Sequence, residues 1–204
     1  MIDKYLYASS IPYPLIPAKC SDAHELMNQE TDILFQQAKQ FFKELQQQMC
    51  GELLSLESEK LGSTSQDFTR DEWKSTLGQG STNILENGKL WEKAGVAFSE
   101  ISSAKLPTAA SARHENLANK PYKACGISIV IHPRNPYVPT SHANLRMFVI
   151  DDDGESISDD ESISGEKKNW WFGGGFDLTP YYIEKSDCDI WHQAAKNLCD
   201  KYEA

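Results

Sequence analysis

The sequence lacks a long apolar run and an excess of basic residues. Within its 204 residues, no uninterrupted apolar stretch approaches the ~18 residues that a membrane-spanning helix needs. Thirty acidic side chains against twenty basic ones give a net charge of −10, which opposes binding to phosphate backbones and to anionic membranes. We therefore predict a protein with no membrane span and no nucleic-acid partner.

Cysteines are few and widely spaced. The five of them form no CxxC pair and no even-numbered framework, which argues against structural disulfides and against a zinc ribbon. The amino-terminal residues also lack the basic and apolar segments of a secretion signal and the arginines of a mitochondrial presequence. These absences predict reduced thiols and a cytoplasmic location.

The chain is long and apolar enough to form one large domain. Hydrophobic residues make up 40% of it, which allows a core of useful size. Three prolines predict an extended arm over residues 1–20, followed by a folded domain over 21–204. Residues 151–168 hold eight acidic and two basic side chains and are predicted to be a solvated acidic loop; the alternative, a cation-binding loop, lacks Ca²⁺-loop spacing.

Two stretches have the periodicity of helices. From Ser21, apolar side chains recur every three or four residues as far as Met49, which predicts a long amphipathic helix. Gly51 can either end or merely interrupt this helix, because leucines follow it before the next breaker. A second helix is predicted to begin near Ser186–Asp187.

Strands are predicted between these helices. Residues 63–88 have the composition of short strands joined by turns, and Asn87-Gly88 is a hairpin signal. Further strands are predicted within 91–101, in GISIVIH at 126–132, in SHANLRMFVI at 141–150, and in the aromatic run that enters three glycines at 173–175.

Alternation along two of these strands separates polar from apolar side chains. The predicted polar face carries Ser128, Val130, His132, His142, Asn144 and Arg146. Polar side chains on a sheet face cost free energy unless they meet water or a ligand. Because an arginine guanidinium suits a carboxylate, we predict that this face binds an acidic ligand.

Several residues have both a chemical and a structural interpretation. His142 can exchange protons near neutral pH, or it can be a structural strand histidine. The three glycines can let a flat or anionic group approach the backbone, or they can form a β-bulge. Asp177 can accept N–H hydrogen bonds from a bound heterocycle, or it can cap a turn. His132, His142 and His192 can ligate a divalent metal, although their spacing matches no short metal-binding motif.

Two long blocks carry a resemblance to a known family. HPRNPYVPTSHANLRMF at 132–148 and WWFGGGFDLTPYY at 170–182 resemble signature blocks of the oxygen-dependent coproporphyrinogen-III oxidases. The resemblance covers roughly residues 25–200. It implies an α+β fold, in which a large flat antiparallel β-sheet is flanked by helices, and a homodimer with substrate in a cleft between sheet and helices.

The resemblance also implies a reaction. Two propionate side chains of coproporphyrinogen III would be oxidatively decarboxylated to vinyl groups, giving protoporphyrinogen IX, carbon dioxide and hydrogen peroxide in haem biosynthesis. Dioxygen would be the oxidant, with no organic cofactor and with a divalent metal ion as an optional component. The implied substrate-binding residues are Ser128, Asn144, Leu145 and Arg146. The implied catalytic residues are the proton donor His142 and the pyrrole N–H acceptor Asp177, and the implied metal ligands are His132, His142 and His192.

The sequence departs from the family pattern in two places, and these departures lead to an alternative function. The segment LGQGSTNIL at 77–85 has fewer glycines than the family usually has, and no arginine. The sequence also stops at Ala204, before the further helices and strands of family members, so we expect a fold that is incomplete at its carboxyl end. The alternative function is a non-catalytic remnant that binds a tetrapyrrole or a metal.

Overall fold

The computed structural model describes residues 20–61, 67–106, 120–150 and 170–202, and in the first helix it describes side chains from Gln29 to Glu59. The acidic segment at 151–168 lies outside these residues, as does the predicted arm apart from Cys20, which is helical. Those two domain assignments therefore stay predictions.

The described residues form two helices and six strands. In chain order they are α1 (Cys20–Leu61), β1 (Thr69–Ser75), β2 (Gly78–Glu86), β3 (Trp91–Ser103), β4 (Tyr122–Pro133), β5 (Thr140–Ile150), β6 (Trp170–Thr179) and α2 (Lys185–Cys199). The strands make one sheet in the order β1-β2-β3-β4-β5-β6, and every neighbouring pair is antiparallel. The predicted α+β fold with an antiparallel sheet is thus confirmed.

Helix α1 packs its apolar stripe on one face of this sheet. Its 42 residues span ~60 Å, and it continues through Gly51 because the residues beyond that glycine still pack on the sheet. Leu53, for example, is buried. The core between helix and sheet includes Phe35, Ala38, Phe42, Leu53, Val96, Phe98, Ile127, Ile129, Met147 and Val149. Within the described residues, neither helix is long and apolar enough to cross a bilayer.

A smaller apolar cluster lies on the sheet face opposite α1. Tyr122 and Ile150 are buried there, and the Phe148 and Trp171 rings stack beside them with centroids 5.1 Å apart and an interplanar angle of 11°. This cluster covers that face where β4 begins and β5 ends. The residues of the predicted polar face lie beyond it on the same side of the sheet.

The β2–β3 hairpin is held by a buried carboxylate from α1. Asn87 begins the turn in the left-handed region at φ 58°, which confirms the hairpin signal in the sequence. Glu57 is fully buried and accepts hydrogen bonds from the backbone N–H groups of Lys89, Leu90 and Trp91. The helix thereby fixes the turn that starts β3.

Candidate active site

The polar residues predicted from the sequence lie on the sheet face opposite α1, in rows set by strand register. Ser128 on β4 pairs with Asn144 on β5, and Asn144 pairs with Gly175 on β6. The row on one side of it joins Gly126, Arg146 and Gly173, and the row on the other side joins Val130, His142 and Asp177. Three neighbouring strands therefore bring residues that are distant in the sequence into one surface.

Glycines shape the surface around Arg146. A Cβ atom at Gly126 would lie 2.5 Å from the Leu145 carbonyl oxygen and 2.8 Å from Arg146 Cγ, so the arginine stem lies over this glycine. A Cβ atom at Gly173 or Gly175 would meet no heavy atom within 4 Å. Arg146 therefore leans towards β4, and the β6 backbone beside it is open to a flat group.

His142 and Asp177 form an acid–base pair at one end of this face. The His142 Nδ1 atom lies 3.2 Å from Asp177 Oδ1 and 3.3 Å from Oδ2. Thr179 Oγ1 donates to Asp177 Oδ2 at 2.9 Å. The hydrogen bond from Thr179, joined by the one from His142, holds the pKa of the Asp177 carboxyl below its ordinary value, and desolvation opposes them. With 58% of its side chain exposed, Asp177 stays accessible to a ligand.

The structure brings together two of the three histidines assigned to a metal. The His132 and His142 rings meet edge to face with centroids 5.9 Å apart. His192 lies on α2, and among the described residues no three His, Cys, Asp or Glu side chains form a group that could hold a metal ion. Within the described part of the chain, the donor set of a metal site is therefore not assembled.

The Leu145 side chain lies on the other sheet face from Ser128, Asn144 and Arg146. It points to the α1 side of the sheet, where it pairs with Ile127 and Gly174. There it lines an apolar cleft of about 590 Å³ between α1 and β6, together with Phe41, Phe172 and Arg146. Its assignment to substrate binding stays a prediction.

Sequence reasoning missed Thr179 and Gly126. Both could be found from the two-residue period of a strand, because Thr179 follows Asp177 by two residues and Gly126 precedes Ser128 by two. Their roles depend on contacts across strands, however, and those contacts require the register.

A histidine–aspartate pair, an arginine and neutral hydrogen-bonding groups thus share one open sheet face. These features define an α+β protein whose antiparallel sheet carries a polar face. The sequence model of the family described as Coproporphyrinogen III oxidase matches residues 37–204. The chain belongs to this family, which confirms the resemblance.

The chain is also similar to a curated protein that is longer than the matched part. The oxygen-dependent coproporphyrinogen-III oxidase of Francisella philomiragia is 43% identical in an alignment of 175 residues, which covers 82% of this chain. The match covers 52% of that relative, so this chain spans about half of its length.

Proposed function

We propose that this chain carries the catalytic face of an oxygen-dependent coproporphyrinogen-III oxidase, which converts coproporphyrinogen III to protoporphyrinogen IX in haem biosynthesis. The observation that carries this proposal is the placement of the His142–Asp177 pair and of Arg146 on one sheet face. Membership of the family and the name of the Francisella relative support the same activity.

Substrate binding would depend on the charge of Arg146 and on the open backbone of β6. Arg146 pairs with a propionate, because its guanidinium can form two parallel hydrogen bonds to a carboxylate. Ser128 and Asn144 add neutral hydrogen bonds to the substrate. Leu145 is the fourth proposed substrate-binding residue. The macrocycle lies against the open backbone at Gly173 and Gly175.

The reaction at each propionate is a two-electron oxidation. One C–H bond on the carbon next to the pyrrole breaks, the bond to the carboxylate breaks, and a vinyl group and carbon dioxide form. Dioxygen takes the two electrons together with two protons, one that derives from the broken C–H bond and one from the medium, and leaves as hydrogen peroxide. The electron-rich porphyrinogen is the reductant, so the proposal requires no organic cofactor.

Two residues would handle protons. Asp177 accepts a hydrogen bond from a pyrrole N–H, which raises electron density on the ring as it is oxidised. Its two oxygens offer about four lone-pair positions, so a pyrrole can bind beside His142 and Thr179. His142 acts as the proton donor of the reaction. A metal-binding role for His132, His142 and His192 stays a prediction from the resemblance.

We also propose a homodimer. Its support is the apolar surface of the described residues that follow β5, where Phe172 and Phe176 on β6 and Ile190 on α2 are exposed. Apolar surface of this kind is typical of interaction sites.

A cytoplasmic location completes the proposal. The cysteines at 50, 125, 188 and 199 are free thiols, which suits a reducing compartment. Burial raises the pKa of the Cys125 thiol to about 11, so this side chain stays protonated and behaves as a small apolar core residue.

The proposed activity is tested by incubating the purified chain with coproporphyrinogen III in air. We expect protoporphyrin, measured by chromatography after chemical oxidation, to exceed the amounts in a sample without protein and in an anaerobic sample. A folded sample that forms no product above these controls would contradict the activity for this chain and favour the non-catalytic remnant.

Replacing Arg146 with alanine is expected to raise KM by about 10- to 100-fold, because a charge-assisted hydrogen bond to a propionate is lost. Arg146→Lys should recover only part of the affinity, since an ammonium group cannot form the two parallel hydrogen bonds. Arg70→Ala is the matched control, because Arg70 lies on the outer strand β1 and pairs with Glu72. Equal KM values for the Arg146 and Arg70 alanine variants would exclude a binding role for Arg146.

A further inference from the structure

The end of β6 carries a hydroxyl group that the proposed mechanism does not use. Asp177 and Thr179 are two residues apart on an extended strand, so their side chains lie on the same face. The Thr179 Oγ1 atom is 2.9 Å from Asp177 Oδ2. An ionised carboxylate only accepts hydrogen bonds, so the threonine hydroxyl is the donor.

Thr179 donates its hydrogen bond to the carboxylate of Asp177, which is largely exposed. More than half of the Asp177 side chain is exposed, and an exposed aspartate ordinarily samples several rotamers. In this structure the carboxylate is held from two sides, by Thr179 on its own strand and by His142 Nδ1 on β5. Loss of either contact frees the carboxylate to turn towards solvent.

Thr179 is itself anchored by the sheet. It pairs with Thr140 at the start of β5, and Thr140 is buried with 6% of its surface exposed. Thr140 precedes His142 by two residues on the same strand. The hydroxyl and the imidazole are thus fixed to the same end of the β5–β6 ladder, and both contact Asp177 Oδ2.

We propose that Thr179 is a positioning residue, whose hydroxyl holds the Asp177 carboxylate in the orientation that accepts a hydrogen bond from His142 Nδ1. This inference rests on the proposed function. The consequence for His142 follows from geometry: with the Nδ1–H group directed at the carboxylate, Nε2 is the atom left to exchange a proton with substrate. Thr179 therefore selects the imidazole nitrogen that performs the chemistry.

The test compares two replacements of Thr179 in the full chain. Thr179→Val keeps the size and the β-branched shape but removes the hydroxyl, whereas Thr179→Ser keeps the hydroxyl. We expect the valine variant to lose about tenfold in kcat with KM within about twofold, and the serine variant to stay near the unaltered chain. Thr82→Val is the matched control, since Thr82 lies on the same sheet face but on β2.

A second readout does not require turnover. In chain labelled with ¹⁵N at histidine, NMR at one fixed pH reports which nitrogen of the neutral His142 ring carries the proton. We expect the Nδ1–H form in the unaltered chain and in the serine variant, and a mixture of both forms in the valine variant.

Each outcome decides the role of Thr179. A valine variant with unchanged kcat and an unchanged tautomer would overturn it, as would equal losses for valine and serine. If the unaltered chain shows no turnover, the proposed activity fails for this chain, and the tautomer alone decides. A shift confined to the valine variant then supports the positioning role, and no shift overturns it.

Discussion

Replacing Asp177 with alanine is expected to lower kcat of the proposed reaction by about 10²- to 10⁴-fold while KM changes little. The carboxylate accepts a hydrogen bond from His142 and is open to a pyrrole N–H, so its removal affects both proton-handling groups. In the proposed function Arg146 binds a propionate, and this residue lies two rows away on β5 and is left in place. The loss should therefore appear in turnover much more than in affinity.

The measurement is steady-state kinetics with coproporphyrinogen III for the unaltered chain and two variants. Asp177→Asn keeps the shape of the side chain but removes the negative charge, so we expect it to be nearly as impaired as the alanine variant. Asp71→Ala is the matched control, because Asp71 is an exposed carboxylate on the same sheet face but on the outer strand β1. Equal kcat for Asp177→Ala and the unaltered chain would rule out a catalytic role for Asp177.

The polar face of the site could be predicted because strands have a two-residue period. Alternation along the strand predicted at 141–150 places Asn144 and Arg146 on the same face as His142. Which residues lie beside them could not be predicted, since partners across strands depend on register. The approach of Asp177 to His142 and the position of Gly126 under Arg146 both follow from that register.

The residue at which α1 ends could not be predicted from the sequence, and the reason is physical. A glycine inside a helix costs about 1 kcal/mol relative to alanine, which is too little to stop a helix that has tertiary contacts beyond it. Leu53 and Glu57 supply such contacts, the first in the core and the second at the β2–β3 turn. Local propensity therefore could not decide between an end and an interruption at Gly51.

Whether the three predicted metal ligands meet could not be inferred from the sequence, because they lie on two strands and a helix. His132 and His142 lie on neighbouring strands, so the sheet brings their rings together. His192 lies on a helix after β6, and its distance from the other two depends on how that helix packs. Among the described residues α2 buries none of its side chains, so the sheet contacts that fix the strands do not fix this helix in the same way.

Replacing Glu57 with alanine is expected to destabilise the fold by about 3–5 kcal/mol. The side chain is fully buried, and it accepts hydrogen bonds from the backbone N–H groups of Lys89, Leu90 and Trp91. Without the carboxylate these donors lose their acceptor, and a donor left unsatisfied away from water costs about 1–3 kcal/mol. A loss of this size is a large part of the ~5–15 kcal/mol by which a domain of this kind is stable.

Urea denaturation followed by circular dichroism measures this loss. Glu59→Ala is the matched control, because Glu59 lies two residues further along α1 and is exposed. We expect the control to stay within about 0.5 kcal/mol of the unaltered chain. A similarly small change for Glu57→Ala would show that the β2–β3 turn is held without this carboxylate.

The effect of Glu57 should also reach the candidate site. Arg134 follows the end of β4, where it donates its backbone N–H to the Leu90 carbonyl and its Nε–H to the Gly88 carbonyl, each at 2.9 Å. The turn that Glu57 holds thus fixes the strand end next to His132, whose ring contacts His142. In native-state hydrogen exchange, Glu57→Ala should therefore lower protection at residues 89–91 and at 134 together. Loss of protection at the turn alone would mean that the Arg134 contacts do not carry the effect to the site.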